Sequence, residues 1–587
     1  MKKNLLSFAL ALVATVTYAQ LTPATDESYA MERKDTPTTE VDGFWWVFNE
    51  SDKTAYFAYR CNRRDVMDTE WLRDNNPGAY SGDIVIPETV NGYTVAGIWE
   101  FAFDGCQNLK SVTLPSTIKT IGAYAFWQCS ITEITIPSSV EVIGDYGLSG
   151  NKLKKVIIED GTKTLKLGYG SSAGVAPNIG TPMFGDLGGQ EIEEAYIGRR
   201  IESQWPDLFH GNQTLKKLTL NDNVLSVPDS YCENCTNLET VVLGKNINSI
   251  GNAAFWGCLK LTSINLPQGV VSIGNNAFNS CESLTKIHFP TTLKTIGEYA
   301  FGQTALTELT IPASVDEIGE AALVIQTLKK VTIEDGETTL NMGRNNWAPM
   351  FGEGGNIIEE AYIGRNIESD LFHGNQTLKK ITFGDKVTSI YTSYCEGCPL
   401  ETLILGTSVS RIGESAFSAF WEESAKLSVI YSYAMTPPVC VDDNVFNNIN
   451  KQTCKLYVPA GTVNTYKAAP TWKDFFNIES LAETKCAAPT ITLENGKLKF
   501  ASTTKGVEFH YNVTVSGSKE GIGNEIEVPS KYNVSVYATK AGLEDSDVTT
   551  TEIAGVVSGS NLAGDANCDG VINTADIVTI VNTIFSK

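Results

Sequence analysis

One short pattern of apolar residues recurs along most of this 587-residue chain. The segments that begin at Leu238 and Leu261 both place apolar residues at positions one, four and six, and they start 23 residues apart. A unit of that length has room for one strand and one return segment, so it cannot bury its own apolar side. Successive units must therefore stack, and the sequence predicts an elongated solenoid in place of separate globular domains. The other units begin at Leu109, Ile131, Leu153, Ile192, Leu215, Leu284, Leu306, Leu328, Ile358, Leu378, Leu400 and Leu427.

Each unit has two parts with different predicted conformations. The opening alternates apolar and polar residues, which indicates a strand whose first, fourth and sixth residues face the core and whose third and fifth face solvent. The second part reads Ile-Gly-x-x-Ala-Phe, as in residues 273–278, and forms the return. Its glycine is expected to make the turn, and its phenylalanines are expected to stack from unit to unit. The predicted aromatic column contains Phe126, Phe255, Phe278 and Phe301.

The combined pattern Leu-x-x-Ile-x-Leu-Pro, Val-x-x-Ile-Gly-x-x-Ala-Phe and Cys resembles the leucine-rich repeat of the BspA type over approximately residues 80–480. That family occurs in secreted and surface proteins of bacteria and some protists. The resemblance implies an α/β-type repeat solenoid with a parallel sheet on one face, used for adhesion or binding, without catalytic residues. We expect the solenoid and its C-terminal cap at residues 81–480 and an N-terminal segment and cap at residues 20–80.

A longer duplication is superimposed on the short repeat. The seven residues 208–214 recur without change at residues 371–377, an offset of 163. This indicates that the array was lengthened by copying a block of several units. The first copy carries a glycine-rich insertion at residues 169–182, which is expected to leave the solenoid as a loop.

The exposed positions of the predicted sheet bear on binding. The chain has 45 Lys and Arg against 68 Asp and Glu residues, and the net charge of −23 repels nucleic acids and anionic lipids. At the third strand position, charges of opposite sign alternate between neighbouring units, which predicts a ladder of cross-strand ion pairs. The fifth position is rich in threonine, a good strand former. From that position we select Tyr196, His288 and Tyr362 as candidates for contact with an extracellular protein or glycan.

The 13 cysteines are candidates for disulfides in an exported protein. Several recur at the repeat spacing, such as Cys258 and Cys281, which favours a column of buried thiols at one equivalent position. The Cys232-x-x-Cys235 pair and its duplicate at residues 395–398 each allow a local disulfide instead. The two pairs also resemble halves of a zinc site, but about seven stacked strands of about 4.8 Å separate them, too far for shared ligation.

The sequence offers no convincing catalytic group. Its four histidines do not form a metalloprotease pattern with neighbouring acidic residues. Residues 170–174 match Gly-x-Ser-x-Gly, with Ser172 in the place of a nucleophile. This match lies in the glycine-rich insertion, without the strand and helix that position such a serine. We therefore expect no catalytic residues and no enzymatic activity.

The N-terminus has the order of a secretory signal peptide. Two lysines precede an apolar run at residues 5–16, and small residues follow up to Ala19. We expect cleavage after Ala19, so that residues 1–19 are removed. No later stretch reaches the roughly 18 unbroken apolar residues of a membrane helix. The mature protein is therefore expected to be secreted or displayed at the cell surface, with no membrane span.

The repeat stops after residue 480, and two further modules are predicted. Residues 487–554 contain short alternating segments with turns such as residues 494–496, which indicate a small antiparallel β-sandwich. This segment resembles the immunoglobulin-like C-terminal module of chitobiase-type enzymes. Residues 555–564 are expected to form a linker to residues 565–587.

The last segment contains a calcium-binding pattern. Oxygen donors at loop positions 1, 3, 5, 9 and 12, a backbone carbonyl at position 7 and glycine at position 6 suit a Ca²⁺ ion. The predicted ligands are Asp565, Asn567, Asp569, Val571, Asn573 and Asp576. The loop and the apolar helix after it resemble one dockerin repeat, an EF-hand-like loop-helix with Ca²⁺ as cofactor. Dockerins pair two such repeats and this chain has one, so the helix is expected to dock on the sandwich, self-associate or meet a cohesin-like partner.

Three functions follow from these features as hypotheses. The leading one is an exported, non-catalytic binding protein that uses its solenoid for adhesion, or for protein or glycan interaction, at the bacterial cell surface. The second is an accessory component of a polysaccharide-degrading assembly, attached through the dockerin-like calcium-binding tail. The third, a hydrolase, would require Ser172 as the nucleophile.

Overall fold

The structure is a computed structural model of the chain. The described residues belong to two compact units, one that ends at Glu479 and one that begins at Ser480, and each has its own apolar core. None of the helices that these residues form has the length and apolar composition to span a bilayer. The structure describes residues 39–58, 80–168, 183–184, 191–203, 207–344, 348–352, 356–481, 486–494, 497–504, 506–514, 518–522, 525–527, 532–539 and 545–553.

In the first unit the opening segments of the repeats form parallel strands. Most of these strands pair in register with their equivalent in the next repeat, as Glu308 pairs with Lys330 and Ile311 with Ile333. The strand pairing is interrupted after Thr113, Val242 and His288, so the series consists of four hydrogen-bonded sheets. Leu309 and Ile311 are buried and alternate with the exposed Glu308 and Thr310, which confirms the predicted alternation. We call this series the front sheet. Its strands are Gly82–Val85, Leu109–Thr113, Glu133–Ile136, Lys155–Ile158, Glu194–Ile197, Lys217–Leu220, Thr240–Val242, Ser263–Asn265, Lys286–His288, Glu308–Ile311, Lys330–Ile333, Glu360–Ile363, Lys380–Phe383, Thr402–Leu405, Val429–Ser432 and Lys455–Val458.

The return segments form a second series of parallel strands, which we call the return sheet. The repeat is therefore built mostly of strands. The α/β class expected from the sequence is wrong for the return segments, because they form short strands and not helices. A helix cannot continue from the strand at Ile273 because Asn276, three residues later, has a φ of 56°. The strands of the return sheet are Tyr93–Ile98, Thr120–Ile121, Val142–Ile143, Leu165–Leu167, Ile201–Ser203, Ser226–Val227, Ser249–Ile250, Ser272–Ile273, Thr295–Ile296, Glu317–Ile318, Asn341–Met342, Ser389–Ile390, Arg411–Ile412 and Val439–Cys440.

The glycine of the return segment does not have the predicted role. The positive φ of the turn falls on Asn276 and not on Gly274. A Cβ added to Gly274 would instead lie 2.6 Å from the backbone nitrogen of Asn252 in the preceding repeat. At Gly297 the same distance, to the backbone nitrogen of Asn275, would be 2.5 Å. Glycine is therefore required by the close approach of stacked turns.

Buried phenylalanines stack inside the first unit between the two sheets. Phe255, Phe278 and Phe301 form a run whose ring centroids lie 5.5 and 5.4 Å apart, with interplanar angles of 13° and 12°. Phe126 stacks instead on Phe103, with 4.9 Å between the ring centroids. The predicted column is thus confirmed for three residues, and Phe126 belongs to a separate stack in the same core. The stack is interrupted because some intervening repeats carry leucine or cysteine at this position.

Additional elements cover both ends of the stacked repeats. At the N-terminal end, Trp46 and Phe57 are buried in an antiparallel hairpin, and the second strand of this hairpin continues in parallel onto the return sheet. At the other end, Trp472 is buried and its Nε1 donates a hydrogen bond to the Pro438 carbonyl at 2.7 Å. The N-terminal strands are Thr39–Val41, Phe44–Asn49, Thr54–Ala58 and Thr89–Val90. The C-terminal elements are the 3₁₀ helices Glu422–Ser424, Asp443–Phe446 and Trp472–Asp474, the α-helix Val463–Ala468 and the strand Asn477–Ser480.

The second unit consists of antiparallel strands. A three-stranded and a four-stranded sheet contribute to one apolar cluster that includes Leu498, Phe500 and Val536. The sequence predicts short antiparallel segments within residues 487–554, and the observed strands in this range include Ser518–Ile522 and Thr549–Ile553. The other strands are Thr490–Glu494, Lys497–Ala501, Glu508–Thr514, Glu525–Glu527 and Tyr532–Thr539.

Candidate functional site

The solvent side of the front sheet carries a group of mutually bonded polar residues in the first duplicated block. Glu194 lies between two lysines, with 4.0 Å to Lys155 Nζ and 2.7 Å to Lys217 Nζ. Tyr196 lies two residues after Glu194 on the same strand, and its hydroxyl donates a hydrogen bond to Asp160 Oδ1 at 2.6 Å. We call these five residues the first tyrosine cluster. The cross-strand ion pairs predicted for this face are confirmed here.

The second duplicated block contains an equivalent group, the second tyrosine cluster. Glu360 lies 3.9 Å from Lys330 Nζ and 2.8 Å from Lys380 Nζ. The Tyr362 hydroxyl donates to Asp335 Oδ1 at 2.7 Å. Corresponding distances in the two clusters therefore differ by only about 0.1 Å, as expected if the duplication copied the whole arrangement.

The electrostatics of the two clusters are similar. The lysine ammonium groups lower the pKa of the carboxyls of Glu194 and Glu360. The hydrogen bond to Asp160 raises the pKa of Tyr196, and burial followed by the bond to Asp335 raises the pKa of Tyr362 to about 12. Both tyrosines therefore stay neutral donors at physiological pH. Each exposed ion pair contributes at most about 1 kcal/mol, so the clusters mainly hold side chains in place.

One position differs between the clusters. Asn221 donates from Nδ2 to the Tyr196 hydroxyl at 2.7 Å. The equivalent residue of the second block is Gly384, where an added Cβ would lie 2.5 Å from the Tyr362 hydroxyl oxygen. Tyr362 thus packs against the backbone of Gly384, whereas Tyr196 accepts an additional hydrogen bond from the Asn221 side-chain amide.

The three predicted contact residues lie on the solvent side of the front sheet but not in one pocket. His288 is exposed, while Tyr196 and Tyr362 are half-buried. Four strand spacings separate Tyr196 from His288, and three separate His288 from Tyr362, about 19 and about 14 Å at 4.8 Å per strand. A ligand that touches all three must therefore extend along the sheet.

An exposed aromatic group was not found by sequence analysis. Trp421 is 67% exposed, and its ring meets Phe420 edge-on with centroids 5.7 Å apart. Phe420 in turn contacts the ring of His373, also at 5.7 Å. The sequence signal for this aromatic group is the long spacing between the repeats that begin at Leu400 and Leu427. The extra residues, which include Phe420 and Trp421, follow the regular return segment.

The cysteines of the repeats are hydrogen-bond donors inside the core. Cys281 Sγ donates to the Phe255 carbonyl of the preceding repeat at 3.1 Å. Asn212 occupies the equivalent position in another repeat, and its Nδ2 donates to the Phe184 carbonyl at 2.7 Å. Cysteine and asparagine therefore serve the same purpose, since each satisfies a buried carbonyl. The other thiols that donate to the preceding repeat are Cys129, Cys235, Cys258 and Cys398.

The cysteines in the described part of the chain are free. This agrees with the predicted column of buried thiols, and the structure has free thiols in the pairs Cys232 and Cys235, and Cys395 and Cys398, where the sequence also allowed local disulfides. Burial raises the pKa of Cys232 and Cys395 well above the usual value, so the thiol form persists.

Alkaline pH is expected to weaken the fold through these thiols. Burial raises the pKa of Cys281 from 9.0 to about 12 and that of Cys106 to about 11. Below pH 9 both states keep the proton and stability is unaffected. Between about pH 9 and about pH 12 the unfolded chain loses protons that the folded chain retains. For each such thiol, the free energy of unfolding therefore falls by up to about 1.4 kcal/mol for each unit of pH.

Urea denaturation over pH values from about 8 to about 11 measures this effect. In the variant Cys281→Asn, which keeps a donor, the slope against pH should be smaller by the contribution of one thiol. An unchanged slope would contradict the assignment.

Several predicted sites lie outside the described residues. They are the signal peptide at residues 1–19, Ser172 in the insertion, and the calcium loop with Asp565, Asn567, Asp569, Val571, Asn573 and Asp576. Within the described ranges, no group of three or more His, Cys, Asp or Glu side chains is arranged to hold a metal ion.

Comparison with solved structures finds other repeat proteins. A leucine-rich repeat protein from Bacteroides ovatus is 22% identical, with a TM-score of 0.38 over 76% of this chain and 100% of that one. A leucine-rich cell surface protein from Faecalibacterium prausnitzii is 18% identical, with a TM-score of 0.25 over 76% of this chain and 96% of that one. The pneumococcal vaccine antigen PcpA is 16% identical, with a TM-score of 0.27 over 76% of this chain and 99% of that one.

A search of curated proteins finds no match. The family model described as the BspA type leucine-rich repeat region matches in six copies, over residues 80–169, 193–340 and 358–457. These ranges cover more than half of the chain and coincide with the two parallel sheets. The chain therefore belongs to the family of proteins with BspA type leucine-rich repeats.

Proposed function

We propose that this chain is an exported, non-catalytic binding protein whose front sheet mediates adhesion to an extracellular protein or glycan at the bacterial cell surface. The observation that carries the proposal is the pair of equivalent tyrosine clusters on one exposed sheet. Membership of the repeat family, the signal-peptide pattern of residues 1–19 and the surface location stated for the Faecalibacterium prausnitzii protein also support it.

The spacing of the clusters favours ligands that repeat. Tyr196 and Tyr362 are seven strand spacings apart, about 34 Å, along the stacked repeats of the first unit. Two equal sites held at a fixed distance increase the apparent affinity for a polymer or a surface array, because the second contact forms at high effective concentration. A soluble ligand with a single copy of the recognised group would gain little from the second cluster.

Adhesion of the protein to immobilised matrix proteins and glycans tests this proposal. The variant Tyr196→Ala/Tyr362→Ala is expected to lose at least about 10-fold in apparent affinity, while each single variant loses less. Thr310→Ala, at the same strand position between the clusters, is the matched control. The proposal is wrong if the wild type shows no saturable adhesion, or if the double variant adheres as the control does.

The C-terminal sequence supports a second candidate, an accessory role in a polysaccharide-degrading assembly. In this proposal the second unit is a β-sandwich spacer, and residues 565–587 form a calcium-bound, dockerin-like loop-helix that captures a cohesin-like partner or a second copy of itself. Calcium titration by calorimetry should show one site that is lost in Asp565→Ala and kept in Asp545→Ala. Without calcium-dependent capture of a cohesin by the wild type, the cohesin assignment fails.

A further inference from the structure

The return sheet carries an open groove of about 520 Å³ that crosses the stacked turns between Asp229 and Gly319. In three of these turns the chain runs from a hydroxyl residue, through a buried isoleucine and a glycine, to a longer polar residue. These stretches are residues 249–252, 272–275 and 295–298. The hydroxyl residues and the longer polar residues of successive turns form two rows, with the isoleucine and the glycine between them. We call this feature the return groove.

The two sides of the return groove hold polar atoms that the protein does not use. The half-buried hydroxyls of Ser249, Ser272 and Thr295 have no hydrogen-bond partner within the described ranges. On the other side, Asn252 Oδ1 accepts the backbone N–H of Asn275 at 2.8 Å, which fixes the amides in a row. The Asn275 Nδ2 donor is likewise without a partner among the described residues. The groove thus offers alternating donors and acceptors to a ligand.

The charge of the groove disfavours polyanions, and its backbone leaves no place for a peptide to add as a strand. Asp229, Glu298 and Glu317 line it, and the described lining contains no lysine or arginine, so polyanions are repelled. The floor has no free strand edge, since the Gly274 N–H already donates to the Ile250 carbonyl of the preceding turn at 2.9 Å. A peptide therefore cannot add as another strand.

We propose that the return groove binds a neutral, linear glycan. Hydroxyl groups of a sugar chain can both donate to and accept from the serine, threonine and asparagine groups that recur about every 4.8 Å along the groove. The lining residues Asp229, Asn252, Asn275 and Glu298 on successive turns span three such spacings, roughly 14 Å, which is room for a short run of sugar rings. This site goes beyond the proposed front-sheet adhesion, because it assigns a second surface and a ligand class.

Calorimetric titration of the full chain with cellohexaose, mannohexaose and hexagalacturonate tests the proposal. A neutral hexasaccharide is expected to bind more tightly than its trisaccharide, and hexagalacturonate is expected not to bind. Ser272→Tyr, which fills the middle of the groove, should weaken binding at least about 10-fold. Ser389→Tyr places the same side chain at the equivalent position of a return strand outside the groove, and it should bind as the wild type does.

Further variants keep the test decisive if Ser272→Tyr proves unstable. Thr295→Val removes one hydroxyl at nearly constant volume and should weaken binding several-fold without changing the melting temperature. Thr295→Val should leave the front-sheet adhesion that depends on Tyr196 and Tyr362 unchanged, which separates this site from front-sheet adhesion. The proposal is overturned if no neutral glycan binds, or if Ser272→Tyr and Thr295→Val both bind like the wild type.

Discussion

Replacing Arg199 with methionine is expected to lower the free energy of unfolding of the repeat unit by about 3–5 kcal/mol. The Arg199 side chain is buried, and its guanidinium donates to three backbone carbonyls two repeats earlier. These are Pro137 O at 2.9 Å, Ser138 O at 2.9 Å and Val140 O at 2.7 Å. Methionine fills a similar volume but donates no hydrogen bond, so all three carbonyls lose the guanidinium as a donor, and within the described stretches only Pro137 O keeps another one, the Val140 N–H at 3.1 Å.

Arg200 provides a matched control because it is the next residue and is exposed. Arg200→Met should change the free energy of unfolding by less than about 0.5 kcal/mol. Arg365 occupies the same place in the second block, with bonds to the Pro312, Ala313 and Val315 carbonyls, so Arg365→Met should resemble Arg199→Met. Urea denaturation followed by circular dichroism measures all three variants. Equal stability of Arg199→Met and Arg200→Met would show that the guanidinium is not a structural bridge.

The variant Phe278→Ala is expected to cost about 3–5 kcal/mol as well. Phe278 is fully buried and contacts a phenylalanine ring on each side, Phe255 and Phe301. Removing the middle ring leaves a cavity and breaks both stacking contacts. Because each repeat is stabilised by its neighbours, the loss should weaken the coupling between the two halves of the array.

Phe476→Ala is the control for this substitution, since Phe476 is 72% exposed. It should shift the urea midpoint by little, whereas Phe278→Ala should lower it or divide the transition into two steps. If both variants unfold at the same urea concentration, the phenylalanine stack does not contribute as described.

Much of the fold was predictable because the repeat specifies it locally. The alternation around Glu308 fixes which residues of a strand are buried, and the equal spacing of Cys258 and Cys281 predicts their common position. The role of Gly274 was not predictable, since it depends on Asn252 in the neighbouring repeat and not on its own turn. A single repeat read alone contains no information on that distance.

The candidate site was less predictable, for the same physical reason. Tyr196 and Tyr362 could be selected as exposed positions, but their bonds to Asp160 and Asp335 join residues from different repeats. Arg199 reads as an ordinary surface residue, although Tyr-Ile-Gly-Arg recurs in both blocks. An arginine that recurs in both duplicated blocks, just after a strand of the front sheet, is therefore a sequence signal for a buried guanidinium.

The duplicated block has a consequence for the gene. A crossover between the two stretches that encode residues 208–214 and 371–377 would delete 163 amino acids. The join would fall at the same point of a turn, so the shortened stack would retain both end caps. Such recombination would leave one tyrosine cluster, so the proposed two-point attachment would become a single-point one.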